Sequence, residues 1–220
     1  MSNQTVVPPG GQFQLPATSA EPLVAFRCSP AFRPYLEEDA TSAAIIVDTP
    51  IVYRYLQGAS PISLSGSNSW GYDDLGKMEV TISVGDRVFA MQQVPLNTTK
   101  NEIYIDLSTL EAQKSPYTVT CNATYQAEAS SWPTTQYFSA NASLLYLPDT
   151  NGSVVKTDLR TGSLWARPAD GKGGNFEPFL PQGFYIQFDP YLVQNLTLID
   201  QLKDDGFNTV RSIFFLWCII

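Results

Sequence analysis

Apolar residues recur at every second position through most of the first two thirds of the chain. Val24, Phe26 and Cys28 alternate with polar or small neighbours, as do Ile51, Tyr53 and Tyr55. Met78, Val80, Ile82 and Val84 run into Gly85-Asp86, and Val88 resumes beyond it, which predicts a hairpin. Ile103, Ile105 and Leu107 form a further set, then Tyr117, Val119, Cys121, Ala123 and Tyr125, then Phe138, Ala140, Ala142, Leu144 and Tyr146. A period of two is the signature of strands that bury one face. About seven such strands, separated by Pro-, Ser- and Asn-rich turns, predict a mainly β chain with an antiparallel, Ig-like β-sandwich over residues 22–159. Residues 1–21 are rich in Pro, Gly, Ser and Gln and read as a flexible leader.

The pattern changes after Leu147. Val154 to Leu159 reads as a last strand. Residues 160–177 read as a Gly-rich connector, centred on Arg167-Pro168-Ala169-Asp170-Gly171-Lys172-Gly173-Gly174-Asn175. That loop lacks G-x-x-x-x-G-K-[ST], so it is not a phosphate cradle. Pro178 to Asp189 reads as a strand. Leu192, Leu196, Ile199 and Leu202 then fall on one face of a helix. Asp189-Pro190 offers an N-cap with proline at the first helical position, and Asn195 offers a rival, later cap. Gly206 stops the helix, and Phe207 to Ile213 reads as a buried parallel strand. Strand, helix, Gly stop and strand make a β-α-β unit over residues 178–220.

Composition narrows the chemistry. The net charge is −8 and no basic run exists, which argues against nucleic acid as a partner. Histidine is absent, so Ser-His-Asp, Cys-His and His-based metal sites are excluded within this chain. The three Cys residues are far apart and form no CxxC motif. No metal site and no cofactor is read from the sequence. No stretch reaches the roughly 18 apolar residues of a membrane span.

Six of the ten Asn residues begin an N-x-S/T sequon: Asn3, Asn97, Asn122, Asn141, Asn151 and Asn195. With 37 Ser and Thr among 220 residues, chance supplies roughly two. The excess points to the secretory pathway and an extracellular protein. Met1 to Pro9 contains neither a basic nor an apolar signal region, so the expectation is that the signal peptide is missing from this sequence. Alternation supports the glycan reading: if Cys121 and Ala123 point inward Asn122 points outward, and Asn141 does so between Ala140 and Ala142. Cys28 and Cys121 both fall on inward positions. They are read either as a disulfide between two sheets, adding about 4–5 kcal/mol under the loop-entropy description, or as two buried thiols.

Residues 178–211 carry a resemblance. Pro178-Phe179-Leu180-Pro181-Gln182-Gly183-Phe184-Tyr185, followed by Leu198-Ile199-Asp200-Gln201-Leu202-Lys203-Asp204-Asp205-Gly206-Phe207-Asn208-Thr209-Val210-Arg211, resembles the start of a (β/α)8 glycoside hydrolase barrel. The whole arrangement is similar to secreted fungal barrel proteins with an N-terminal sandwich. The resemblance implies the truncated start of a TIM barrel and a carbohydrate partner. Gln187, Asp189 and Arg211 lie toward the C-terminal strand ends, where such barrels bind substrate. In the resembling hydrolases the matching arginine orients a catalytic carboxylate, a role suited to a planar guanidinium. Asp189 reads equally as a helix cap, and Gln187 as a rim residue. Glycoside hydrolysis uses two carboxylates flanking the bond. No Asp or Glu follows Asp205, so no catalytic residue is assigned in this chain. After Arg211 the chain departs from the family and continues as the apolar Ile213 to Ile220. Trp70, Tyr72 and Trp132 are read as sugar platforms or as loop aromatics capping the core. The rival to the hydrolase reading is a non-catalytic secreted β-sandwich that binds glycan or protein.

Overall fold

Most period-two segments are strands in the computed structural model, which describes residues 15–64, 75–127, 134–150, 152–167, 175–187 and 192–213; the set Val24, Phe26, Cys28 is instead broken at Ala25-Phe26, and Tyr53 and Tyr55 are exposed. In chain order the strands are β1 (Thr18–Val24), β2 (Arg27–Pro30), β3 (Phe32–Arg33), β4 (Tyr35–Leu36), β5 (Ala43–Asp48), β6 (Ile51–Arg54), β7 (Ser60–Pro61), β8 (Lys77–Val84) and β9 (Arg87–Pro95). They continue as β10 (Asn101–Ile105), β11 (Tyr117–Ala127), β12 (Thr134–Leu144), β13 (Tyr146–Leu147), β14 (Val154–Asp158), β15 (Ser163–Arg167), β16 (Glu177–Phe179), β17 (Gly183–Gln187) and β18 (Thr209–Ile213). The α-helix among the described residues is α1 (Thr197–Asp204). The fold is therefore mainly β, with several antiparallel sheets.

Two sheets supply most of the core. One has the order β12-β11-β8-β9 and the other β10-β5-β2. In β11 the residues Val119, Cys121, Ala123, Tyr125 and Ala127 are buried, while Asn122 and Gln126 between them are exposed and Thr120 and Thr124 half-buried. Met78, Val80 and Ile82 of β8 follow the same rule. Gly85, at φ 56°, makes the turn of the β8–β9 hairpin, a conformation that disfavours residues with a Cβ. Residues from both sheets share one buried cluster that contains Ile45, Val47, Val80, Ile82, Ile103 and Val119. Each such side chain contributes about 1.5–3 kcal/mol by leaving water. A disulfide between Cys28 of β2 and Cys121 of β11 fastens one sheet to the other.

Strand β5 departs from alternation. Ala43 to Val47 are all buried. Ala43, Ile45 and Val47 join the main cluster, and Ala44 and Ile46 pack with Ala31 and Phe32 on the opposite side. A strand covered on both faces reads as a continuous apolar run, which a search for period two passes over. Tyr35, a member of the main cluster, holds Ala44 and Phe32 through its hydroxyl. Its buried hydroxyl donates to the Ala44 carbonyl at 2.9 Å and accepts from the Ala44 and Phe32 amides at 3.0 and 3.3 Å. Burial pushes the phenol pKa up despite those bonds.

Strand structure extends beyond the 22–159 stretch on both sides. β1 begins at Thr18, inside the expected leader. β15 occupies the first part of the expected connector, and β16 contains Pro178 and Phe179, expected to open the second unit. β1 lies between β6 and β7 in one sheet, while β15 and β16 extend another, β16-β15-β14-β3. They were illegible because β15 is nearly uniformly half-buried and β16 is three residues long, so neither displays a clear period.

The helix also starts later than Leu192. Its N-cap position is Leu196, which supplies no side-chain cap; Asn195, one residue earlier, accepts the Thr197 amide on its side-chain oxygen at 3.1 Å, and Asp189-Pro190 lies outside the described residues. At the other end Gly206 has φ 92°. Its N–H donates to Lys203 and that of Phe207 to Leu202, both at 3.0 Å. This is a Schellman stop, with glycine where the left-handed residue falls. Among the described residues, no helix is long and apolar enough to cross a membrane.

Candidate functional site

The β17-α1-β18 segment positions the residues expected to meet substrate. β17 and β18 pair in parallel, with Gly183 opposite Thr209, Tyr185 opposite Arg211 and Gln187 opposite Ile213. Parallel neighbours need a crossover, and α1 lies within it. Gln187 and Arg211 thus occupy backbone positions of the same parity on adjacent strands, with Gln187 the nearer to the C-terminal edge. Asp189 lies outside the described residues, as do Asn3, Asn151, Trp70, Tyr72, Trp132 and Cys218.

The opposite edge of this strand pair is tied by Asn208. Its side-chain oxygen accepts the Gln182 amide at 2.7 Å, and its side-chain nitrogen donates to the Leu180 carbonyl at 2.9 Å. The backbone amides of Asn208 and Thr209 both donate to the Gln182 carbonyl. One amide side chain therefore fixes the approach to both strands. No role was read for Asn208 from the sequence. The signal available was its place directly after a Gly-Phe helix stop and before an apolar strand. Gly183 is needed for a different reason. A Cβ there would collide with the Thr209 carbonyl, so the two strands meet at this register only through glycine.

Near the same edge lies an open cavity of about 400 Å³, lined by Val155, Arg167, Glu177, Pro178, Phe179 and Asn208 among others. Its chemistry is mixed: an apolar floor, one carboxylate and one guanidinium. Arg167 is already committed, because its Nη1 donates to both carboxylate oxygens of Glu38 at 2.6 and 2.8 Å. Phe176 lies under both Arg167, at 4.7 Å, and the ammonium of Lys156, at 3.8 Å. Asn208 immediately precedes β18, at the N-terminal edge of the parallel strand pair.

A second charged cluster sits around Arg160. Its Nε donates to Asp158 at 2.8 Å, and its Nη1 lies 3.3 Å from Glu102. The guanidinium also stacks on Phe32 at 4.6 Å. Burial pulls the Asp158 carboxyl upward, yet the Arg160 hydrogen bonds and charge outweigh it and hold the group below its ordinary range. Arg160 is correspondingly shifted up by its bonds to Asp158. Asp158 and Glu102 thus flank the Arg160 guanidinium as its two carboxylate partners.

Four sequon asparagines are described, and Asn97, Asn122, Asn141 and Asn195 are all exposed. Asn97 sits in the left-handed region at φ 57°, where its side-chain oxygen accepts the Ile51 amide at 3.1 Å. Asn122 and Asn141 lie mid-strand on the outer face of the four-stranded sheet. Among the described residues, no group of three or more His, Cys, Asp or Glu side chains is placed to hold a metal ion. Nor does any buried side-chain nitrogen or oxygen there lack a hydrogen-bond partner. In comparisons with known proteins, the chain matches no family model, no curated protein and no solved structure.

Proposed function

We propose that this chain is part of a secreted glycoside hydrolase-like protein, of which it carries an Ig-like β-sandwich and the opening of a (β/α)8 barrel. The observation that carries the reading is the parallel pairing of Gly183–Gln187 with Thr209–Ile213 across α1. That is the repeating element of such barrels, in the segment whose residues resemble a hydrolase opening. Two antiparallel sheets with a shared apolar core support the sandwich. The Cys28–Cys121 disulfide and the four exposed sequon asparagines support an oxidising, secretory route.

In this reading the substrate class is carbohydrate. Gln187, Asp189 and Arg211 contribute to its binding at the C-terminal strand edge, and Arg211 orients a carboxylate supplied by later strands. This chain holds neither the acid nor the nucleophile. Its own contribution is to start the barrel and fix it to a rigid β module.

Transcript sequencing downstream of the Arg211 codon, followed by glycosidase assays of the encoded product, tests the proposal. Further β-α repeats with a strand-end Glu, and hydrolysis of a glycoside by that product, are the expected result. The 220 residues alone should turn over no substrate on a chromogenic glycoside panel. Glycan or protein binding without further repeats would leave the non-catalytic module as the correct reading.

A further inference from the structure

Asn122 and Tyr137 stand close together on the outer face of the four-stranded sheet. Asn122 is opposite Ser139, and Thr124 is opposite Tyr137. The intervening Cys121 and Ala123 are buried, so Asn122 and Thr124 face solvent, and Tyr137 pairs with Thr124 on that same side. Asn122 and Tyr137 are therefore diagonal neighbours, which places them about 7–8 Å apart. Thr124, the third residue of the Asn122 sequon, lies between them. Tyr137 is 78% exposed, on a face that also carries Thr120, Thr124, Ser139 and Ser143 and, on β9, the exposed Val88 and Met91. Among the described residues, the Asn122 side-chain amide makes no hydrogen bond.

We propose that Tyr137 is the platform on which the first sugar of an N-linked glycan at Asn122 rests. The proposal depends on the secretory reading given above. In the modification step the Asn122 side-chain nitrogen forms a bond to the anomeric carbon of a lipid-diphosphate-linked oligosaccharide. The bond from that carbon to the diphosphate oxygen breaks, the diphosphate leaves with the electron pair, and the amide loses one proton. The attached pyranose then stands off the sheet beside a ring that does the same. Its C–H bonds meet the negative face of the ring, as the positive edge of another aromatic would. Contact removes the most exposed aromatic of this face from water without any protein partner.

Asn141 supplies the internal control. It lies on the same face but four residues from Tyr137 along β12, about 13 Å away. Its first sugar is out of reach of the ring.

The test uses the full chain secreted from a eukaryotic host, with sequon occupancy read by mass spectrometry and stability read as melting temperature. Asn122 should be occupied, and Tyr137→Ala should lower the melting temperature by about 2–4 °C. That loss should vanish when Asn122→Gln is already present and persist when Asn141→Gln is. Tyr137→Phe should behave as the parent does, since the ring face is kept. Tyr137→Thr, a residue type this face already uses, replaces the Ala variant if the latter does not fold. An equal loss with and without the Asn122 glycan overturns the proposal, as does no loss at all. An unoccupied Asn122 beside other occupied sequons overturns it while leaving the secretory reading intact. Complete absence of glycan at all sequons overturns both.

Discussion

The ammonium of Lys156 lies 2.6 and 2.8 Å from the two carboxylate oxygens of Asp39, a residue 117 positions earlier. The Lys156 side chain is 6% exposed, so the pair sits largely out of water. Asp39 belongs to the short 3-10 turn Glu37–Asp39, and its carboxylate also accepts the Leu36 amide at 2.7 Å. The adjacent Glu38 grips Arg167. One acidic turn thus fastens β14 and β15, and with them the sheet leading toward β17. Asp39→Ala leaves the buried ammonium with only Glu38 at 4.0 Å and the Phe176 ring as partners, and leaves an amide without its acceptor. It should cost about 2–3 kcal/mol, between the limits for exposed and fully buried pairs. Lys156→Met should cost less, because an apolar chain of similar length suits the site and Asp39 can still reach water. Urea denaturation of both variants checks this, and a larger loss in Lys156→Met than in Asp39→Ala would contradict it.

Asp158 should contribute an acid-sensitive part of the stability. Although burial acts to raise its pKa, Arg160 holds it below the ordinary value, so the folded state binds this proton less readily than the unfolded state. The contribution is complete above the unfolded value near 3.9 and is lost as pH falls through the lower, folded value. Asp158→Asn should therefore be less stable than the parent at neutral pH. The gap should close progressively below about pH 4. Thermal melts of the two proteins across that range decide the matter, and a gap that does not change with pH would sink the argument.

How much of this was readable in the sequence depended on how each element is covered. β8 and β11 bury one face and expose the other, and their period of two was legible at once. β5 buries both faces, so Ala43 to Val47 showed no period and went unread. The stop at Gly206 was legible because a left-handed backbone selects glycine. The helix start was not legible, because the N-cap position falls on Leu196, an apolar residue that gives no capping signal. The expected site residues rest on the resemblance alone. Gln187 and Arg211 were identified from a resemblance, and the parallel register brings their strands together. Asn208 was missed because its bonds reach back to Leu180 and Gln182, 28 and 26 residues earlier, and no local pattern reports such a contact. The Asp39–Lys156 pair was hidden for the same reason.

Removing the disulfide should weaken the join between the two large sheets without changing which strands pair. Cys28 and Cys121 are 93 residues apart, so the unfolded chain gains much freedom when the bond is absent. The double variant Cys28→Ala, Cys121→Ala should be less stable by about 2–5 kcal/mol while keeping a β-type circular dichroism spectrum. The comparison should be made by denaturant titration on material secreted from a eukaryotic host. Equal midpoints for the double variant and the oxidised parent would show that apolar packing alone holds the sheets together.

Gly183→Ala should separate the last strand pair from the rest of the molecule energetically. The added Cβ meets the Thr209 carbonyl, which is backbone and cannot swing aside as a side chain would. Relief requires β17 to move away from β18, and this parallel pair has one short helix in its crossover, whose Ile199 and preceding Leu196 remain substantially exposed. Little other packing compensates for the lost pairing. The buried cluster shared by the two large sheets involves none of these residues, so its unfolding should be unaffected. Limited proteolysis should therefore cut the variant faster than the parent between Pro181 and Arg211. The N-terminal product should melt at the parental temperature. A uniform drop in stability, with no change in where the protease cuts, would mean that β17 and β18 fold as one unit with the large sheets.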